Sequence, residues 1–141
     1  MRYGPLNLLK ENIFSSEESQ LVTASVKRIQ DYCHGIAREC GWWTNPDTGR
    51  WLERNKGELL CLIHSEISEA MEGVRKNMMD DHLKDRKMEE VELADAIIRI
   101  LDYAGAFNLD VPGALVEKLQ YNCSRQDHKP ENRLKFGGKK F

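Results

Sequence analysis

The sequence predicts an all-α fold, a bundle of four helices, and three observations carry that expectation. Apolar residues recur at three- and four-residue spacing over long stretches. Alternating β-branched runs are missing. Polar or proline-containing breaks with capping residues divide the chain into four such stretches. A length of 141 residues suits a single domain over 1–141, with 1–15 and 126–141 as peripheral segments.

The first helix is expected to start at a capping box, Ser15 with Glu18 three residues on, and to end at Cys40 before Gly41. Val22, Val26, Ile29, Cys33, Ile36 and Cys40 give it an apolar face. A loop over 41–54 follows, with Trp42, Trp43 and Trp51 around the turn-forming Asn45-Pro46-Asp47-Thr48-Gly49. Asn55, with Glu58 three later, caps a second helix running to about Met78. A polar break over 80–85 leads into a third helix that ends near Asn108. Asp110 before Val111-Pro112 caps a fourth, which fades near Cys123, because proline fits a first helical turn.

Composition narrows the function. The chain is 40% hydrophobic and 31% charged with a net charge of −2, which speaks for a globular protein and against a nucleic-acid binder. Its end, 129–141, is basic, a feature that suits phosphates or plain solvation. The longest unbroken apolar run, 59–63, is far too short for a membrane span, and the start lacks a signal-peptide layout, so a cytoplasmic location is expected. The four cysteines show no CxxC spacing, and Cys33, Cys40 and Cys61 are expected as small reduced core residues.

The third helix holds the chemistry. Nearly every position over 91–101 is apolar, the pattern of a helix buried on most sides. Glu92, Asp95, Arg99 and Asp102 interrupt it at offsets of three, seven and ten, which puts them on one stripe. Glu66 and Glu69 interrupt the apolar second helix one turn apart in the same way. Carboxylates in apolar surroundings are costly unless paired or metal-bound. A short connection makes the two helices antiparallel, so the two acid pairs can face each other as an oxygen-rich cluster for a hard cation, Mg²⁺ above all. An ion-pair network with Arg75, Lys76 or Arg99 is the alternative. Iron is disfavoured, because a di-iron bundle uses Glu-x-x-His and no histidine here stands three residues after a glutamate. His34, His64, His82 and His128 are scattered, and each is expected to face solvent or an interface.

Glu66-x-x-Glu69, then twenty-two residues, then Glu92-x-x-Asp95 resembles the ExxE…ExxD signature of the MazG-like all-α nucleoside triphosphate pyrophosphohydrolases, a family that includes dimeric dUTPases, dCTP pyrophosphatases and phosphoribosyl-ATP pyrophosphatase. Ser65-Glu66-Ile67-Ser68-Glu69-Ala70, Glu92-Leu93-Ala94-Asp95-Ala96-Ile97-Ile98-Arg99 and Lys118-x-x-x-Asn122-x-x-Arg125 extend the likeness over about residues 20–125. Ser65 departs from it, since many relatives carry a second glutamate there.

The resemblance implies hydrolysis of a nucleoside triphosphate to the monophosphate and pyrophosphate. Mg²⁺, or Mn²⁺ as a substitute, would be held by Glu66, Glu69, Glu92 and Asp95, with Glu69 and Asp95 as the catalytic pair. It implies Lys118, Asn122 and Arg125 near the triphosphate or the base; their spacing puts them on one helical face, which serves equally as a solvated stripe. Lys76, one helical face from Glu69, is a further phosphate candidate. Trp43 could stack on a base, although adjacent tryptophans such as Trp42 and Trp43 more often cap a core or an interface. Arg99 is expected to support Asp95 or Asp102. Relatives are dimers or tetramers, so a homodimer or tetramer that completes the bundle is expected, with no nucleic acid or membrane partner. Two other readings stay open: a non-catalytic bundle with a structural metal and a protein partner, and the same site acting on a modified nucleotide or phosphoribosyl-ATP.

Overall fold

The computed structural model describes residues 13–139, and within them the chain is all-helical with four long helices. The expectations placed on the first residues and on Lys140 lie outside that range. Helix α1 spans Ser16–Glu39. Its capping box is reciprocal: Glu18 N–H donates to Ser15 Oγ at 3.2 Å, and Ser15 N–H donates to Glu18 Oε2 at 2.8 Å. Gly41, at φ 82°, lets the chain leave α1 through the left-handed region, as a helix stop requires. In the loop beyond, the Asn45 side chain accepts the N–H groups of Asp47 and Thr48, and Thr44 and Trp51 form an isolated antiparallel bridge.

Helix α2 spans Lys56–Lys76, and the Asn55 side chain accepts the N–H groups of Gly57 and Glu58. It stops at Asn77, which adopts the left-handed conformation at φ 50°. The polar break that follows is a built turn. Asp80 is buried and accepts the N–H groups of His82 and Leu83, and Met79 bridges Lys87. Helix α3, Met88–Ala106, therefore runs back antiparallel to α2 and packs along it. A Cβ on Gly73 would stand 2.9 Å from Met88 Cβ, so the hairpin closes tightly only because that side chain is missing. A Cβ on Gly105 would stand 2.6 Å from His34 Cβ, and α1 approaches α3 there.

Helix α4 spans Val111–Ser124; Asp110 caps it by accepting from Gly113 N–H, with Pro112 buried in its first turn. A 3-10 turn, Gln126–His128, and a short helix α5, Pro130–Arg133, follow in the stretch that carried no assignment from sequence. None of these helices is long and apolar enough to cross a membrane.

The described residues divide into two compact units, one over 28–109 and one made of 13–27 with 110–139. The first unit holds the α2–α3 hairpin, the second half of α1 and the tryptophan loop. Its buried apolar residues are few: Trp43, Ala70, Ala96, Leu101 and Ala104. Two expectations need correcting. Cys40 and Cys61 are exposed and Cys33 only half-buried, because the surfaces of α1 and α2 that carry them are left uncovered by the described residues. Helix α3 is not buried on most sides either. Leu93, Ile97, Ile98 and Ile100 are exposed, since α2 covers only one of its faces.

Candidate metal centre

The antiparallel hairpin brings together carboxylates that are far apart in sequence. Glu66 and Glu69 on α2 and Glu92 on α3 each offer an oxygen, and the three oxygens lie within 4.8 Å of one another. Glu66 is 6% exposed and Glu92 8%, while Glu69 is open to solvent. Asp95, one turn beyond Glu92, is half-buried and is not one of the three that converge.

Electrostatics at the cluster follow from this crowding. Burial, then the charge of Glu69, then the hydrogen bond and charge of Glu66 push the Glu92 carboxyl up to about 7. Burial and the charge of Glu66 also raise Asp95, against the opposing pull of Arg99. The charge of Arg99 thus favours the Asp95 carboxylate, as expected, but its hydrogen bond goes to Glu66 rather than to Asp95 or Asp102. Its Nε donates to Glu66 Oε1 at 2.6 Å, because the reversal between α2 and α3 sets residue 99 beside residue 66.

The residues present fit a divalent cation. A hard dication with oxygen ligands at about 2.1 Å spans about 4.2 Å between opposite ligands, so three oxygens already inside 4.8 Å need only small rotamer adjustments. One guanidinium cannot neutralise three acids. A bound cation would offset the burial and the mutual repulsion that push the Glu92 carboxyl up.

A second cluster lies about three turns beyond Glu92 along α3. Asp102 accepts Trp43 Nε1–H at 2.9 Å and 3.2 Å through its two oxygens, and stands 2.8 Å from His34 Nδ1. Trp43 is 2% exposed, with Trp51 stacked on it at 5.4 Å and 19° and Phe107 and His34 meeting it edge-on. Trp43 is thus a core residue in this conformation, and its face is covered by Trp51 rather than offered to a base. His34 departs from the expectation of a solvent or interface histidine, because Asp102 holds it inside. Sequence spacing marked Asp102 through the α3 stripe, whereas nothing local to position 34 announces a partner 68 residues away. A cavity of about 30 Å³ is lined by Trp43, Leu59, Leu62, Arg99, Asp102 and Tyr103.

The chain matches no protein-family model, no curated protein and no solved structure.

Lys76, Lys118 and Arg125 have local partners. Lys76 Nζ pairs with Glu72 Oε1 at 2.6 Å on the surface of α2. Lys118, Asn122 and Arg125 belong to the other unit. There Lys118 Nζ lies 4.7 Å from the centre of the Tyr121 ring, and Arg125 makes a bidentate pair with Asp127 at 2.9 and 2.6 Å. That pairing raises Arg125 and holds Asp127 below the usual carboxylate range. Among the described residues Asn122 Oδ1, on α4, is buried without a hydrogen-bond partner.

Proposed function

We propose that this chain is a Mg²⁺-dependent pyrophosphohydrolase of the MazG-like type, cleaving a nucleoside triphosphate to the monophosphate and pyrophosphate. The observation that carries the reading is the convergence of Glu66, Glu69 and Glu92 from two antiparallel helices, two of them buried. Buried, mutually repelling carboxylates destabilise a fold unless they are paired, protonated or metal-bound. The spacing that resembles the family signature is the spacing that makes them converge.

Mg²⁺ or Mn²⁺, when bound, would neutralise developing charge on the phosphate oxygens. In this reading Glu66, Glu69 and Glu92 hold the cation, with Asp95 as the fourth ligand one turn on. Glu69, the exposed member, is the acid best placed to orient an attacking water, since a water must approach from solvent. The resemblance assigns Lys118, Asn122 and Arg125 to the triphosphate or the base, and that assignment stands here on the sequence pattern alone. Phosphoryl chemistry of this kind depends on positioning and charge rather than a covalent nucleophile.

The same reading includes a homodimer or tetramer. Ile67, Met71 and Val74 on α2 and Leu93, Ile97 and Ile100 on α3 are exposed at helical spacing, faces suited to a second copy of the chain. The free cysteines suit the reducing cytoplasm.

The test is hydrolysis of a panel of purified triphosphates, with phosphorus NMR identifying the products. Monophosphate and pyrophosphate are expected, lost with chelator and restored by Mg²⁺ or Mn²⁺. Glu69→Ala and Asp95→Ala should each abolish turnover while leaving the helical circular dichroism intact. Diphosphate and orthophosphate as first products would overturn the reaction assigned, and no turnover of any nucleotide would favour a non-catalytic helical protein.

A further inference from the structure

Glu66 is the most buried acid of the cluster, and among the described residues the cation bonded to it is Arg99. That contact is monodentate, Nε to Oε1 at 2.6 Å, and so lacks the second parallel bond that makes arginine–carboxylate pairs rigid. The Arg99 side chain is 45% exposed, whereas that of Glu66 is 8% exposed. The acid is therefore fixed in the hairpin, and the guanidinium has an open route to water.

We propose that Arg99 is a surrogate cation, holding Glu66 in the metal-free protein and leaving that carboxylate when a divalent cation arrives, so that this one hydrogen bond sets the affinity for metal. The inference rests on the reading of Glu66, Glu69 and Glu92 as a divalent-cation site. A buried carboxylate stripped of its partner is strongly destabilising, which explains why a chain that must also exist without metal keeps a cation at hand. The cost falls on affinity, because metal and guanidinium compete for the same oxygens. Arg99 is in this sense a positioning residue: it acts through Glu66.

The experiment titrates the chelator-treated full chain with Mn²⁺ alone, following free Mn²⁺ by electron paramagnetic resonance, and melts each protein without metal. Arg99→Gln should bind Mn²⁺ about tenfold more tightly than wild type, the size expected for removing one charged hydrogen bond that competes with the metal. It should also melt lower in the metal-free state and gain more from Mn²⁺. Arg99→Met keeps the stem and replaces it should the glutamine variant fail to fold. Arg75→Gln removes a charge from α2 that is bonded to Glu72 rather than to the cluster, and should leave affinity within about twofold of wild type.

Unchanged or weaker Mn²⁺ binding in Arg99→Gln, with wild type binding normally, overturns the surrogate role and leaves the cation site standing. Equal tightening in Arg75→Gln assigns the effect to net charge and overturns it as well. Failure of wild type and Arg99→Gln alike to bind Mn²⁺ at millimolar concentration overturns the cation site itself, and the surrogate role with it.

Discussion

Among single residues, Glu92 makes the most direct statement about pH. Its carboxyl stands at about 7 in the folded chain against an ordinary value of 4.5, with burial as the first cause and the charge of Glu69 as the second. Between those two values the folded state keeps a proton that the unfolded chain has released, so stability falls as pH rises through this window and levels off above it. The metal-free protein should therefore melt at a lower temperature at about pH 8 than at about pH 5, as far as this group governs the difference. Glu92→Gln, which cannot ionise, should flatten the slope, and Mn²⁺ should restore stability mainly at the high-pH end. An equally steep slope in the glutamine variant would remove Glu92 from the account. The acids were legible in the sequence because charges at three-residue spacing inside apolar helices are anomalous wherever they occur. Arg99 was visible as a member of the stripe, but its partner was not, since the choice between Asp95, Asp102 and Glu66 depends on how α2 and α3 are aligned. Trp43 carried the opposite difficulty. Its loop position allowed both a stacking surface and a core plug, and the Asp102 hydrogen bonds with the Trp51 stack decide for the plug.

The elements themselves were largely readable, for a reason that can be stated residue by residue. Ser15, Asn55 and Asp110 cap the helices they were expected to cap, because each supplies a short side-chain oxygen to backbone N–H groups that have no partner within the helix. Asn55→Ala should accordingly cost about 1 kcal/mol, measured by urea unfolding. The C-terminal turn and α5 escaped, since a four-residue helix has too little periodicity to register. Close approaches between elements also left no mark in the sequence. Gly105 could have been a neutral helix position; it is instead where α1 crosses α3, with a Cβ there only 2.6 Å from His34 Cβ. Alanine has the better helix propensity by about 1 kcal/mol, so propensity alone predicts that Gly105→Ala stabilises. The crossing predicts the reverse, a loss of about 1–3 kcal/mol as α1 is pushed away and the His34–Asp102 contact loosens. Urea unfolding decides between the two, and a stabilised Gly105→Ala would mean that the crossing is looser than described.

For the whole molecule, what the sequence expected of α3 and what the single chain provides part company, and that gap carries the last prediction. A helix apolar on nearly every side was expected to be buried on most of them. Within one chain α2 takes one face, while Leu93, Ile97 and Ile100 remain open at four- and three-residue spacing, with Ile97 55% exposed. Helix α2 adds Ile67, Met71 and Val74 to the uncovered surface. Scattered apolar residues on a surface need no explanation, but two helical stripes of branched aliphatic and methionine side chains on one hairpin do. The proposed association between copies would supply one, because a two-fold axis lets one self-complementary surface cover its own image. A stable interface of this kind buries about 800 Å² per partner or more, which two helical stripes of this length can provide. The protein should run as a dimer or tetramer by light scattering at micromolar concentration. Ile97→Lys should shift it to monomer, because a buried ammonium in the middle of an apolar interface has no partner. The same variant should keep its helical content, since residue 97 makes no part of the intrachain core. Wild type running as a monomer would defeat the assembly, and an Ile97→Lys protein that stays oligomeric would move the interface off this face of α3.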